Sequence, residues 1–481
     1  MASTKDQYHK LDSGNALELS SFETSSTKFP LADDQNRVKN KLDIDNDDFE
    51  INDGESFKWA EGESNEYLDS HNSRSSFLMG FMNMSNSIIG AGCIGLPMAI
   101  KYCGIVGGAL VLLFSTVLVD FTLRLVVVNL KLSGTSTYQD SVEAAMGKWG
   151  KLLILLGNSF FAIGGCIGFC IIIGDTIPHV LRAFFPSHAG LFHRNIIIVL
   201  ITIFISYPLS LNRDISKLAK TSFLALLSMG LILVSVMIRG PVTDSSYKGE
   251  FVFPDYLISS KLMQGMSIIN FAMICHHNTS MIFSSLRKPT LKRFDTLTHL
   301  CCGIAMIVCA LMGFTGFGIF KDKTKGNILN NFPSDDKLIN VARFCFGFNM
   351  LTTYPMEVFV FRECIRDLIY FRNYDLRDPP VLSNKLHFLI TTVIVLVTMS
   401  ISLTTCNLGA TLEIVGSTSG SLMAFILPPW VNLVFTGREK STREKLKYYF
   451  TIGVGVFLMI FSSLQTLIDA MHGSADSHCS A

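Results

Sequence analysis

From Phe77 onward, apolar residues come in long runs, and polar residues gather in short stretches between them. A run of about 20 apolar residues is what a helix needs to cross a bilayer. The pattern predicts eleven such helices, the first six at Phe77–Ile100, Ile105–Leu130, Leu152–Ile177, Asn195–Leu211, Leu218–Ile238 and Leu262–Phe283. The remaining five are Leu297–Ile319, Leu338–Phe361, Leu386–Leu403, Leu408–Phe435 and Tyr448–Ala470. Residues 1–76 show no such runs and are rich in Ser, Asp, Glu and Asn, with an acidic stretch from Asp43 to Glu55. They have too little apolar surface to offset the entropy of ordering, so they are expected to form a disordered tail. No basic segment followed by an apolar core marks a signal peptide there. The expected layout is therefore a tail (1–76), an eleven-helix membrane domain (77–470) and a short second tail (471–481).

Two of the runs are interrupted. In the first, Asn83 to Pro97 packs Gly90, Gly92 and Gly95 together ahead of Pro97. Each glycine weakens a helix by about 1 kcal/mol and an interior proline by about 3 kcal/mol. In the sixth, six consecutive polar or soft residues, Cys275 to Ser280, stand inside an apolar helix. Within a bilayer, a helix tolerates a break only where protein or a water-filled cavity satisfies the freed backbone. Breaks in the first and sixth helices are what an inverted five-plus-five repeat places at equivalent positions, with the eleventh helix outside it.

The ends of broken helices carry specific chemistry. Exposed N–H groups and the positive dipole end suit a carboxylate, and exposed carbonyls suit an ammonium group or a metal cation. A zwitterionic amino acid presents both charges close together. The expected substrate wall is Ile89, Gly90, Ala91, Gly92 and Cys93 from the first helix, with Cys275, His276, His277, Asn278 and Thr279 from the sixth. The plainer reading of the glycines is close helix packing. The plainer reading of the histidines is packing or capping rather than proton carriage.

Composition agrees with a membrane chain: 49% of the 481 residues are hydrophobic and 16% charged. Soluble domains carry about 25% charged residues. The net charge of +1 hides an asymmetry, because residues 1–76 hold 17 acidic and 8 basic side chains. If the chain starts in the cytosol, the cytosolic loops carry 20 Lys and Arg and the opposite loops 10. The bias predicts a cytosolic amino terminus and a lumenal carboxyl terminus. The Lys321–Lys325 cluster runs against it.

Intramembrane charges are few. Asp120 and Arg124 are spaced for an i,i+4 pair. Asp175 precedes Pro178, and Glu413 and Asp469 lie in the last two helices. Glu357, Arg362 and Glu363 approach the cytosolic face, where a gating salt bridge is expected. In the tenth helix, Gly416 to Ser421 is small and polar, a surface on which another helix could slide. The twelve cysteines form no CxxC pair, which argues against a zinc site or a disulfide framework. Cys103 and Cys406 fall near the same helix ends, which leaves a bridge between them open beside free packing thiols. No basic stripe with interleaved aromatics supports nucleic-acid binding. No nucleophile–base pair or metal cluster stands at recognisable spacing, so neither an enzyme nor a cofactor is expected.

Three ordered stretches resemble one family. Ser85–Pro97 is similar to the first-helix signature of the amino acid/auxin permease family, and His276–Ser280 with Ser284–Thr290 to its sixth-helix motif. Thr353–Glu363 is similar to its eighth-helix motif. The resemblance runs from about Phe77 to Ala470 and is nearest to fungal vacuolar amino acid transporters and animal sodium-coupled neutral amino acid transporters. It implies an all-α, LeuT-like fold that moves amino acids by alternating access across an endomembrane such as the vacuolar one, driven by a proton or sodium gradient. Matching residues imply a cation site at Asn86 and Thr353. Cys93 and Cys275 occupy variable positions beside the site, so the substrate does not carry over. The alternative is an amino acid sensor on the same fold, signalling through the tail to regulatory partners.

Overall fold

The computed structural model describes residues 75–213, 222–253, 257–287, 289–371 and 380–471. The predicted tails lie outside these residues, apart from Ser75 and Ser76 at the start and Met471 at the end. The helices are α1 (Phe77–Ile88), α2 (Leu96–Cys103), α3 (Ile105–Ser133), α4 (Tyr138–Phe184), α5 (Arg194–Ser210) and α6 (Ser222–Val242). After them come α7 (Leu262–Met273), α8 (His276–Ser285), α9 (Leu291–Phe320), α10 (Lys337–Ile369), α11 (Asn384–Thr404), α12 (Leu408–Thr436) and α13 (Thr442–Met471). Eight helical stretches among the described residues are long and apolar enough to cross a membrane. The others that the sequence predicts as spans are the shorter α5, the interrupted pair α7 and α8, and the more polar α10.

Local chemistry explains where the helices begin. Thr137 caps α4 through the Asp140 N–H, Thr290 caps α9 through the Arg293 N–H, and Asn407 caps α12 through the Ala410 N–H. Asp336 accepts from both Leu338 and Ile339 at the start of α10. Such caps satisfy N–H groups that a helix start leaves without partners. Within α4, Gly147 adopts φ 67°, which kinks Tyr138–Met146 away from the longer apolar part.

Two layers position the site. The long helices α4 and α10 run together, and the broken pairs α1/α2 and α7/α8 pack with α3 and α9. A short bridge pins the outer ends of the two breaks together: Ser75 N–H donates to the Ser285 carbonyl at 2.8 Å, and Arg287 N–H to Ser75 at 3.0 Å. We call the face where α1 begins the proximal face and the other the distal face.

The distal face is closed over the breaks by the segment after α9. Arg343 is fully buried and donates to the carbonyls of Leu329, Phe332 and Pro333, which fixes that segment on α10. Lys101 of α2 donates to the Thr324 carbonyl at 3.2 Å. Asn327 and Asn330 donate to Asp175, which also faces Arg194 at 3.5 Å.

Several sequence expectations change here. Asp120 and Arg124 do pair, at 2.9 Å, with His299 of α9 on the other carboxylate oxygen at 2.8 Å. Among the described residues Glu357 forms no salt bridge, so the expected gating bridge is not seen. Arg362 is instead buried against the Ser210 carbonyl and Thr391, and Glu363 pairs with Arg366. The small, polar stretch Gly416–Ser421 contains a π-helical turn at Gly416–Gly420, whose Gly416 carbonyl accepts from Asn270 at 2.9 Å. A Cβ at Gly416 would stand 2.1 Å from the Ser267 carbonyl oxygen, so the two backbones touch. Cys103 is a free thiol that donates to the Leu262 carbonyl. Cys406 is disulfide-bonded, and Cys103 is not its partner.

Candidate functional site

The two breaks are shorter than the sequence suggests. In the first, helical geometry stops after Ile88; Ile89 and Gly90 leave the helix, and Ala91–Gly95 form a tight 3-10 turn that feeds α2. In the sixth, the break is Ile274 and Cys275 alone; His276 to Ser280 are helical and open α8. Each break therefore sets the carbonyl end of one half-helix beside the N–H end of the next. The first presents the carbonyl end of α1 and the N–H groups of the 3-10 turn. The second presents the carbonyl end of α7 and the N–H groups that start α8.

The three glycines of the first break do different things. A Cβ at Gly92 would stand 2.5 Å from Ala272 Cα, so this glycine lets α7 touch the turn. A Cβ at Gly95 would meet Leu412 at 2.8 Å. Gly90 faces nothing nearer than the Asn86 carbonyl at 3.5 Å and is partly exposed. Packing accounts for Gly92 and Gly95, and Gly90 is the one with room beside it. Ile89, Ala91 and Cys93 are buried.

On the sixth helix, Cys275 is fully buried and stands at the head of α8, where its carbonyl, not its thiol, accepts the Asn278 N–H at 3.0 Å. His276 is buried and bonded through Nε2 to Thr122 of α3 at 2.9 Å, so it fastens α8 to α3. His277 is partly exposed and packs its ring on Phe161 of α4, centroids 5.0 Å apart. Phe161 also stacks on Phe271 of α7 at 5.3 Å, which brings α4 against both halves of the break. Asn278 donates to Ser87 of α1 at 3.4 Å, a direct link between the two broken helices. Thr279 returns its hydroxyl to the Cys275 carbonyl and is buried.

The expected cation residues sit on α1 and α10. Asn86 and Thr353 are both partly exposed, and no hydrogen bond joins them among the described residues. The Thr352 and Thr353 hydroxyls both donate to the Asn349 carbonyl, at 2.9 and 2.8 Å. Pro355 lacks an N–H and so withholds the donor that the Leu351 carbonyl would otherwise receive. This turn of α10 holds oxygen atoms of the kind a hard cation takes.

Exposure around the breaks is one-sided. Asn86, Ser87, Gly90, His277, Asn278, Thr352, Thr353 and Glu357 are partly exposed. On the distal side, Ala91–Ile100 and Gln264–Cys275 are buried without interruption. Phe161 packs on both halves of the sixth-helix break, Asn270 ties α7 to Gly416 and Asn349 accepts from Thr353; none of the three was assigned a role from the sequence. The pair Phe161 and Gly165, one turn apart in α4, was a usable signal: a ring and a gap on one face.

Comparison with known proteins decides the family. Residues 73–468 match the model described as transmembrane amino acid transporter protein. The chain belongs to this transmembrane amino acid transporter family. It is 48% identical to vacuolar amino acid transporter 2 of Saccharomyces cerevisiae over 488 residues, covering 98% of each chain. It is 33% identical to a Danio rerio protein provisionally named sodium-coupled neutral amino acid transporter 11, covering 83% of this chain and 88% of that one. Among solved structures, MhsT in complex with L-phenylalanine superposes with a TM-score of 0.50 at 13% identity, covering 83% of this chain and 99% of that one. That likeness concerns the fold, which is LeuT-type. The curated relatives are named as transporters, not as enzymes.

Proposed function

We propose that this membrane protein is a secondary active transporter that carries amino acids across an endomembrane, of vacuolar type, by alternating access. The fold is read as eleven spans, a five-plus-five inverted repeat and an extra helix, with α1/α2 and α7/α8 as the equivalent broken members. The observation that carries the reading is the pair of breaks, joined by Asn278 and Ser87, with partly exposed residues on the proximal side only. A site reached from one face and sealed from the other is one of the two states alternating access requires. The Ser75 bridge supports α1 and α8 moving as one body.

In this reading the amino acid carboxylate lies against the N–H groups of the 3-10 turn and of α8, and its ammonium against the carbonyl ends of α1 and α7. Gly90, Ile89, Ala91, Gly92 and Cys93 form one wall, and Cys275 to Thr279 the other. Asn86 and Thr353, with Asn349, are the expected cation ligands if sodium drives transport; a proton is the other candidate. The amino terminus is cytosolic, as the loop charges favour.

The test is uptake by the purified protein in liposomes, with a panel of labelled amino acids and with proton and sodium gradients imposed separately. Saturable, gradient-dependent uptake is expected. Amino acid binding without flux would support the sensor reading instead.

A further inference from the structure

Glu357 is a charged group that neither the breaks nor the cation turn employs. It stands on α10 one turn beyond Thr353, so both side chains leave the helix on the same face. Its neighbours Tyr354, Pro355 and Val358 are buried, whereas Glu357 is partly exposed. Across from it α4 presents Gly165, where a Cβ would lie 3.7 Å from Glu357 Cγ and 3.9 Å from its Cδ, with the Phe169 ring at 4.0 Å, so the missing side chain lets the Glu357 stem pack directly on α4. One turn before Gly165, Phe161 packs on His277 and Phe271. The face of α4 that meets the sixth-helix break therefore continues directly to Glu357.

Among the described residues the carboxylate has no counter-charge. Its Oε2 is shut off from solvent and accepts no hydrogen bond. No Lys, Arg or His among the described residues pairs with it. The basic residue nearest in sequence, Arg362, is committed to Ser210, Thr391 and Asn212. The titratable groups whose fields reach it from α4 and α10 are the thiols Cys166 and Cys364. An ionised carboxylate away from bulk water is costly unless a cation meets it, and such residues in membrane helices mark ligand or ion paths.

Resting on the transport reading above, we propose that Glu357 selects the substrate side chain by receiving the positive charge of a basic amino acid, lysine or arginine. The half-helix ends serve the α-carboxylate and α-ammonium groups that every amino acid shares. They leave the wall carboxylate to whatever distinguishes one amino acid from another. A lysine or arginine stem is long and flexible, and its charged head needs an acidic partner once dehydrated. Glu357 is such a partner, partly exposed and without an ion pair among the described residues.

The experiment is uptake of labelled lysine, arginine, leucine and glutamine by the full chain in liposomes, at several external pH values. Thermal unfolding with and without lysine serves as a binding readout independent of flux. The wild type is expected to favour lysine and arginine over leucine in kcat/KM by about tenfold or more, and to unfold at a higher temperature when lysine is present. Glu357→Gln, close in size, should lose that preference by a similar factor and lose the lysine shift. Glu357→Asp should keep part of both, which separates a specific role from misfolding. The proposal is overturned if the wild type carries leucine but not lysine or arginine. It is also overturned if Glu357→Gln keeps the wild-type spectrum and loses only its pH dependence, which would assign the carboxyl to a coupling proton. Absence of uptake of any amino acid by the wild type overturns the transport reading itself, and this proposal with it.

Discussion

The two breaks reach one backbone outcome by different chemistry. The first uses glycine: Gly92 exists so that Ala272 can touch the turn, and Gly90 leaves open backbone. The sixth contains no glycine. Its two non-helical residues are Ile274, which is extended, and Cys275, and the surrounding polar groups are held by neighbours: His276 by Thr122, and Asn278 against Ser87. Asn270, a turn before the break, clasps the tenth helix at Gly416. One break is made by removing side chains, and the other is fastened by them. The first should therefore fail sterically when a side chain is added. The second should loosen by degrees when one is removed.

The largest effect is expected from Gly92→Val. A Cβ already overlaps Ala272 Cα, and overpacking costs about 3 kcal/mol or more when neighbouring backbone must shift. The variant should give little monodisperse protein by size exclusion. Gly90→Ala has room for its methyl group, so it should fold normally. The added methyl intrudes on the substrate wall, and amino acid kcat/KM should fall by about tenfold, worth 1.4 kcal/mol. Together the pair separates a packing glycine from a ligand glycine; equal thermal stability and equal uptake in both would erase the distinction.

Asn270→Ala removes one of the two side-chain donors to the Gly416 carbonyl and leaves the Ser421 hydroxyl, which costs about 1.5 kcal/mol. A lowered unfolding temperature with substrate preference unchanged is expected. Thr122→Val should be the mildest, about 1 kcal/mol, since it removes one hydrogen bond from His276 at nearly constant volume. Thermal unfolding in detergent measures both.

Most of the fold was readable because bilayer physics leaves a plain trace: apolar runs of fixed length, with loop charge on one side. The existence of the two breaks was also readable, from Gly90, Gly92, Gly95 and Pro97 and from Cys275 to Ser280. Their exact extent was not. His277 to Ser280 are polar yet helical: His277 lies on Phe161, Asn278 reaches Ser87 and Thr279 returns its hydroxyl to the Cys275 carbonyl, and a polar run does not say whether water, ligand or protein answers it. Nor did the sequence divide the glycines by role, since Gly90 and Gly92 differ only in what lies across from them. Glu357 was misread for a related reason. Arg362, five residues on, lies round the helix from it and turns to Ser210 and Thr391, so proximity along the chain gave the wrong partner.

The most direct test of the account is transport by the purified chain alone. In sealed liposomes carrying an imposed proton or sodium gradient, wild-type protein should concentrate an amino acid above its external level, and Gly90→Ala of equal thermal stability should do so about tenfold less efficiently. Amino acid binding without movement under either gradient, or undiminished uptake by Gly90→Ala, would contradict the claim that the first break is one wall of a transport site.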